Sequence, residues 1–238
     1  MPRGADIAEN LTDVRRRITA AAHRANRNPA TVSLVAVSKT VSPDAIREAA
    51  STGQRLFGEN RVQEAAAKVD ALGDLPLEWH LIGHLQGNKV RKAVAKFACI
   101  ESVDRIDLVR KLDAAARDAG CRPSVLVQVD LAQEPTKFGS PVEHVRDVVA
   151  EAHRAGALIL RGLMTVPPYP ESPEDSRPWF RRLRELRDEL VAAGVPQDAL
   201  RELSMGMSHD FEVAIEEGAT IVRIGTAIFG ERPGPAPA

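Results

Sequence analysis

Short apolar runs alternate with stretches of helical periodicity along most of the chain. The runs are rich in Val, Ile and Leu, and they cover residues 32–39, 55–60, 77–83, 98–103, 124–130, 158–165, 202–205 and 220–225. Continuous apolar runs of this length are typical of strands that are buried on both faces of a parallel sheet. The pattern therefore predicts eight buried strands.

Stretches with the spacing of amphipathic helices lie between these runs. They cover residues 43–51, 62–71, 88–96, 105–119, 142–155, 179–193 and 210–217. A further helix precedes the first strand, where apolar residues recur at helical spacing: Ile7, Leu11, Val14 and Ile18. The dipeptide Asn28-Pro29 is expected to end that helix.

Strands and helices that alternate in this way form a parallel sheet with right-handed crossovers. An open doubly wound sheet would also accommodate the pattern. We favour a closed (β/α)8 TIM barrel, because the strands number eight and no GxGxxG motif follows the first one. The prediction is an α/β protein with a single barrel over residues 1–232, an extra N-terminal helix and a disordered tail at 233–238. Residues 166–178, with five prolines, are expected to form a stiff extended loop.

The composition excludes several classes of function. The 32 basic and 33 acidic residues are spread evenly and give a formal net charge of -1, which favours neither nucleic acid nor a membrane surface as a partner. The apolar runs are well short of a membrane span, and the first residues lack the apolar core of a signal peptide. Cys99 and Cys121 are isolated, so no disulfide framework is expected. We expect a cytoplasmic protein.

Lys39 stands at the carboxyl end of the first apolar run. Burial disfavours the charged form of an amine, so a lysine here is expected to have a lowered pKa and more free amine. A free amine is the nucleophile that forms a Schiff base with a carbonyl compound. The alternative is a structural lysine whose stem packs on the strand while its ammonium reaches water.

The carboxyl ends of all eight strands of such a barrel meet on one face, and the loops after strands seven and eight often bind phosphate there. Gly206 allows a close turn, and Ser208 stands just before a helix whose first amides suit an anion. Gly225 and Thr226 add amides and a hydroxyl from the next loop. The alternative is that Ser208 only caps its helix. The charge of Asp210 would oppose a phosphate if its side chain turned inward.

Arg223 interrupts the apolar strand 220–225. Alternation puts it on the same face as Ile221, so it points into the barrel or lies under a helix. A buried guanidinium needs a partner. The pyridine nitrogen of pyridoxal phosphate is one candidate, because arginine is a partner of that ring. The carboxylate of Glu59 is the other.

The sequence gives little support for a metal site, a hydrolase or nucleotide-binding motif, or an RNA-binding surface. His80 and His84 are four residues apart but fall in a strand-like segment, and there is no HExxH motif or cysteine cluster, so we expect no metal site. No GxSxG or Walker motif is present. Aromatic residues make up 4% of the chain, which argues against an RNA-binding sheet.

Six motifs, in order, resemble those of the pyridoxal phosphate homeostasis proteins, over residues 6–232. They are Ala36-Val37-Ser38-Lys39-Thr40; Phe57-Gly58-Glu59-Asn60-Arg61-Val62-Gln63-Glu64; Trp79-His80-Leu81-Ile82-Gly83 with Leu85-Gln86-Gly87-Asn88-Lys89; Gly162-Leu163-Met164-Thr165; Leu203-Ser204-Met205-Gly206-Met207-Ser208 with Asp210; and Val222-Arg223-Ile224-Gly225 with Ile228-Phe229-Gly230. His84 and Asp130 depart from the family pattern, in which a small residue or proline and an asparagine are usual. The first would alter the rim of the pocket and the second the loop after strand five.

The resemblance implies a fold like the N-terminal barrel of alanine racemase and a bound pyridoxal phosphate without established turnover. It implies that Lys39 holds the cofactor as a Schiff base, and that Arg223 faces the pyridine nitrogen. Phosphate contacts would come from Ser208 and from the amides of Gly225 and Thr226. The residues implied around the ring are Asn60, His80 and Met205.

We therefore expect a carrier and regulator of pyridoxal phosphate that acts as a monomer and supplies the cofactor to other enzymes. The rival interpretation is an amino-acid racemase or a related enzyme. A two-base racemase needs a second base opposite the lysine. The single tyrosine, Tyr169, lies in the proline-rich segment, so His80 or His84 would have to serve.

Overall fold

The computed structural model describes residues 6–133 and 138–230. Eight strands, numbered in chain order, form the barrel: β1 Ser33–Val37, β2 Leu56–Glu59, β3 Glu78–Leu81, β4 Cys99–Val103, β5 Ser124–Asp130, β6 Ile159–Met164, β7 Glu202–Ser204 and β8 Ile221–Ile224. All pair in parallel, in the order β4-β3-β2-β1-β8-β7-β6-β5, and β5 pairs with β4 to close the ring. A two-residue strand, Ser140–Pro141, adds to the edge of β5. The predicted (β/α)8 barrel is confirmed.

The helices surround this ring: α1 Ile7–Arg24, α2 Pro43–Ser51, α3 Val62–Ala71, α4 Val90–Val94, α5 Ile106–Asp118, α6 Val142–Arg154, α7 Arg177–Ala192, α8 Phe211–Glu216 and α9 Thr226–Phe229. Short 3-10 helices lie at Pro29–Thr31, Gly87–Lys89, Pro173–Ser176 and Gln197–Leu200. The extra helix α1 packs against α8, α9 and α2, so it joins the last βα unit to the first. The prediction of an N-terminal helix is confirmed.

The hydrophobic core has two layers. The larger layer lies between the outer faces of the strands and the helices and includes Phe57, Leu163 and Phe211. A small cluster, with Val35 and Met164 among its members, fills the interior of the barrel. Because both faces of each strand are covered, the strands read as continuous apolar runs in the sequence.

The proline-rich segment is less extended than predicted. Its first part is irregular, but Pro173–Ser176 forms a 3-10 helix, and Pro178 lies in the first turn of α7. Proline lacks an N–H group and has a fixed φ, so it is well accommodated where a helix begins. The predicted tail at 233–238 lies outside the described residues. Within the described residues, no helix is both long and apolar enough to span a membrane.

Candidate functional site

Lys39 lies at the mouth of the barrel, two residues after β1 ends at Val37. Its side chain is partly buried, whereas the preceding Ser38 is fully buried. The amide of Val41 donates to the carbonyl of Ser38 at 2.9 Å, which closes a tight turn around Lys39. The placement that the sequence predicts for the lysine is therefore observed, and its role as nucleophile stays a prediction.

The loops after β7 and β8 meet as predicted. The hydroxyl of Ser208 accepts hydrogen bonds from the amides of Gly225, at 3.2 Å, and Ala227, at 3.3 Å. Thr226, between these amides, is exposed and begins α9. Gly206 has a φ of +91°, and a Cβ there would lie 2.5 Å from the Cβ of Ala214, so only glycine fits this close turn.

The carboxylate of Asp210 is bound within its own loop. One oxygen accepts from the amide of Met207 and the other from the hydroxyl of Ser176, both at 2.7 Å. Asp210 is buried in this arrangement, and it immediately precedes α8. These two hydrogen bonds hold the carboxylate within its own loop, so it does not turn toward an anion bound near Ser208.

Arg223 points into the barrel, where its strand position is paired with that of the buried Val35. Its guanidinium donates to the hydroxyl of Ser204 at 2.5 Å and to the carbonyl of Thr165 at 2.8 Å, and it lies 3.9 Å from a carboxylate oxygen of Glu101. Burial lowers the pKa of Arg223, and the charge of Glu101 opposes that effect. The guanidinium is thus fixed inside the barrel just below its mouth.

The suggestion that Glu59 is the partner of Arg223 is wrong. In β2, Gly58 is paired with the inward His80, so the next residue, Glu59, points outward. Its carboxylate accepts from the hydroxyl of Ser38 at 2.6 Å and from the ammonium of Lys68 at 2.8 Å. The wall of the barrel therefore separates Glu59 from Arg223.

His80 lies inside the barrel in contact with Glu101. Its Nδ1 atom is 2.7 Å from one Glu101 oxygen, and the hydroxyl of Ser204 donates to the other oxygen at 2.5 Å. Burial lowers the pKa of His80, but the hydrogen bonds with Glu101 and Glu78 outweigh burial and raise the pKa to about 9. For Glu101, burial raises the pKa of the carboxyl, and the contacts with His80, Arg223 and Ser204 lower it further than burial raises it. His80 and Glu101 are therefore both charged at neutral pH.

Glu101 was not identified from the sequence. Its one signal is an acidic residue within the buried strand Cys99–Val103. Ligand atoms of His80, Cys99 and Glu101 lie within 4.8 Å of one another, so the absence of a metal site stays a prediction. Burial raises the pKa of the Cys99 thiol, which keeps it in the form that binds metals poorly.

A cavity of about 300 Å³ lies at the ends of β2, β3, β5 and β6, and it is lined by Asn60, Ile82, Gly83, His84, Gln128, Phe138 and Val166. The ring of His84 stacks on that of Phe138, with 3.8 Å between centroids and 14° between planes. Asp130 accepts from the amide of Gln133 at 3.0 Å, so it fixes the start of the loop after β5. His84 and Asp130, the two residues that depart from the family pattern, thus lie at this cavity and at the loop after β5.

Met205 is fully buried in the core layer between the barrel and the helices, where Phe211 also lies. Its amide donates to the carbonyl of Ile221 at 3.1 Å. Contacts of Asn60, His80 and Met205 with a cofactor ring stay predictions. Only Asn60 among these three lines an open cavity, since His80 and Met205 are buried.

Comparisons with known proteins find similar proteins over nearly the whole chain. The family model described as "Alanine racemase, N-terminal domain" matches residues 10–233. The pyridoxal phosphate homeostasis protein of Aquifex aeolicus is 49% identical over 227 residues, which is 95% of this chain and 99% of the relative. The structure of PipY from Synechococcus elongatus with PLP bound has 42% identity and a TM-score of 0.84, and the match covers 94% of this chain and all of PipY.

A more distant likeness concerns the fold alone. An alanine racemase of Clostridium difficile matches with a TM-score of 0.71 at 15% identity. The match covers 96% of this chain but only 56% of the racemase chain. The barrel of this protein therefore corresponds to one part of a larger enzyme.

Proposed function

Since the chain belongs to the family of the pyridoxal phosphate homeostasis proteins, we propose that it binds pyridoxal phosphate on Lys39 and supplies it to other proteins. The cofactor carries an aldehyde, a pyridine ring and a phosphate. The proposal assigns one group of this chain to each of these three parts.

The observation that carries the proposal is the order of the strands. Lys39 follows β1, Arg223 lies in β8 and Ser208 follows β7, and these three strands are neighbours in the barrel. An amine, a buried guanidinium and a serine hydroxyl bonded to two backbone amides therefore lie along one arc of the barrel mouth. That is the set of groups that an aldehyde, a ring nitrogen and a phosphate require.

The residues fit the three parts of the cofactor chemically. The hydroxyl of Ser208 accepts two backbone N–H groups, so its own proton is the part that binds an anionic oxygen. Arg223 is a cation that cannot give up its proton, and it keeps a ring nitrogen beside it unprotonated. Lys39 would hold the aldehyde carbon as a Schiff base, with the carbonyl oxygen released as water, so the link would form and break without a redox partner.

The exposure of Tyr169 and the names of the relatives favour a carrier role over catalysis. A second base is required for racemisation, and Tyr169 is 81% exposed, with its ring stacked on that of His209. The curated relatives are named for homeostasis of the cofactor. A reversible link to Lys39 keeps a reactive aldehyde away from other amines and leaves it exchangeable.

The rival function, a racemase or a related enzyme, rests on His84. This histidine lines the cavity that Asn60 also lines, and its Nδ1 atom lies 3.6 Å from a carboxylate oxygen of Asp104. An imidazole nitrogen facing that cavity is the kind of group that can accept a proton from a substrate. Delivery to apo-enzymes, the monomeric state and a cytoplasmic location stay predictions from the sequence.

The direct test is an absorption spectrum of the purified protein with pyridoxal phosphate, before and after borohydride. We expect a band from the Schiff base that disappears on reduction, while the pyridoxyl group becomes permanently attached to the protein. A protein that stays colourless at saturating cofactor, or that releases all of it after reduction, would contradict the proposal.

A further inference from the structure

The main chain on both sides of Lys39 is bound to one buried cluster of charges. On one side, the carbonyl of Ser38 accepts from the ammonium of Lys68 at 2.7 Å, and the hydroxyl of Ser38 donates to Glu59 at 2.6 Å. On the other side, the amide of Thr40 donates to Glu64 at 2.6 Å. Lys68 joins the two sides, because its ammonium lies 2.8 Å from Glu59 and 2.9 Å from Glu64.

The turn that this cluster holds is strained. Thr40 has a φ of +65°, in the left-handed region. A β-branched residue rarely adopts this conformation, and it persists only where surrounding contacts impose it. Here the bond from the Thr40 amide to Glu64 is such a contact. If it is lost, the turn is free to relax, and the direction of the Lys39 side chain changes with it.

Lys68 is suited to holding the turn and unsuited to reacting. An ammonium has three N–H groups, and three acceptors surround this one: the Ser38 carbonyl and the carboxylates of Glu59 and Glu64. These three hydrogen bonds hold the nitrogen of Lys68 in the cluster, so it is not presented to an aldehyde. Lys39 and Lys68 therefore have different tasks although both lie near the barrel mouth.

The stability of the barrel alone does not account for the cluster. The side chains of Lys68 and Glu59 are only 9% and 0% exposed, and a buried ion pair is seldom more stabilising than an apolar pair of the same size. Burial raises the pKa of the Glu59 carboxyl even against the bonds from Lys68 and Ser38, which shows how costly its charge is there. One oxygen of Glu59 also has no hydrogen-bond partner among the described residues.

We propose that Lys68 and Glu59 are positioning residues for Lys39, which fix the turn at Ser38 and Thr40 and so direct the Lys39 amine toward the aldehyde of the cofactor. The inference rests on the proposed function and deepens it. It assigns a task to two residues that touch neither the ring nor the phosphate. The hydrogen bonds of the cluster described here join Ser38, Thr40, Glu59, Glu64 and Lys68, and none of them involves Ser208 or Gly225.

The test compares two ligands that differ at one carbon. Pyridoxal phosphate forms a Schiff base, whereas pyridoxine phosphate carries an alcohol there and cannot. In Lys68→Met we expect the affinity for pyridoxal phosphate to fall by about tenfold, the scale set by the strain of the turn. We expect the affinity for pyridoxine phosphate to stay unchanged. Lys68→Arg should restore part of the loss, because it keeps the charge.

A second readout needs no cofactor. The amide of Thr40 should exchange with solvent faster in apo Lys68→Met than in the apo wild type, because Glu64 loses the partner that holds it. The matched control is Lys111→Met, which removes an exposed lysine paired with Asp107 at the same i,i+4 spacing. It should change neither the ligand affinities nor the exchange of Thr40.

The double variant Glu59→Gln with Lys68→Met removes both charges, so it remains testable if the single variant does not fold. Equal losses for the two ligands, unchanged binding of pyridoxal phosphate or unchanged exchange of Thr40 in a folded variant would overturn the inference. Borohydride labelling of the wild type separates it from the proposed function. If Lys39 carries no label, both the proposed function and the positioning role are overturned. If Lys39 is labelled but Lys68→Met binds pyridoxal phosphate like the wild type, only the positioning role is overturned.

Discussion

The imidazole of His80 and the carboxylate of Glu101 form a charged pair inside the barrel, with 2.7 Å between Nδ1 and Oε1 and side-chain exposures of 7% and 0%. The pair lies beneath Arg223, which reaches Glu101 both directly and through Ser204. The carboxylate of Glu78 lies 3.5 Å from Nε2 of His80, so two cations and two carboxylates balance in this group.

The first prediction concerns the pH dependence of this pair. The pKa of His80 is raised to about 9 in the folded protein, above its ordinary value of 6.5. The pair therefore contributes its full stability below about pH 6.5 and loses it as the pH rises through about 9, on the order of 3 kcal/mol in all. Denaturant unfolding of the wild type and of His80→Gln should show the largest difference at about pH 6 and a smaller one above about pH 9.

His153→Gln is the matched control, because His153 is an exposed residue of α6. It should unfold like the wild type at every pH. A difference between the wild type and His80→Gln that is constant across this range would show that His80 contributes by packing alone and carries no raised pKa.

The barrel and the position of Lys39 could be predicted because they depend on local pattern. Buried parallel strands read as apolar runs, and the lysine follows directly in the sequence. The charged clusters could not be predicted in the same way. Glu101 has partners on β3, β7 and β8, and these become neighbours only when the ring closes.

Lys68 illustrates the same limit on the outside of the barrel. Its spacing from Glu64 is that of an ordinary surface pair on a helix, i to i+4. Packing of α3 against the end of β2 buries it and brings it to the carbonyl of Ser38. The error over Glu59 has a related cause. The sequence placed a buried cation and a buried anion in the same protein but did not show that they lie on opposite faces of the wall.

The second prediction is that Lys39 carries the cofactor. Borohydride reduction and peptide mapping should locate the pyridoxyl group on Lys39, and Lys39→Ala should lose the covalent link entirely. Lys68 should carry no label, because its ammonium is bound by three acceptors. A label found chiefly on Lys89 would refute the assignment of Lys39.

The third prediction concerns phosphate recognition. Ser208→Ala should weaken binding of pyridoxal phosphate by roughly 0.5–2 kcal/mol, the range for one hydrogen bond, with a charged acceptor near the upper end. Pyridoxal, which lacks the phosphate, should be affected less. Isothermal titration with both ligands measures the difference.

The control for that measurement is Asn28→Ala. Its side-chain oxygen also accepts from a backbone amide, that of Ala30, but it begins the 3-10 helix Pro29–Thr31, which precedes β1. We expect no change in the affinity for either ligand. Equal losses for pyridoxal phosphate and pyridoxal in Ser208→Ala would mean that this hydroxyl only joins the two loops.

The last prediction is that the protein does not racemise amino acids at the rate of an ordinary enzyme. Lys39 can remove or return a proton on one face of the substrate only, and Tyr169 is exposed in its loop. If the ring nitrogen lies beside Arg223, as proposed, it would stay unprotonated, and the ring would be a weaker acceptor of electrons from a carbanion. Proton exchange at the α-carbon in deuterated buffer, at saturating cofactor, measures the activity. Turnover within about 1–10³ per second that is lost in both Lys39→Ala and His84→Ala would establish the racemase and identify His84 as its second base.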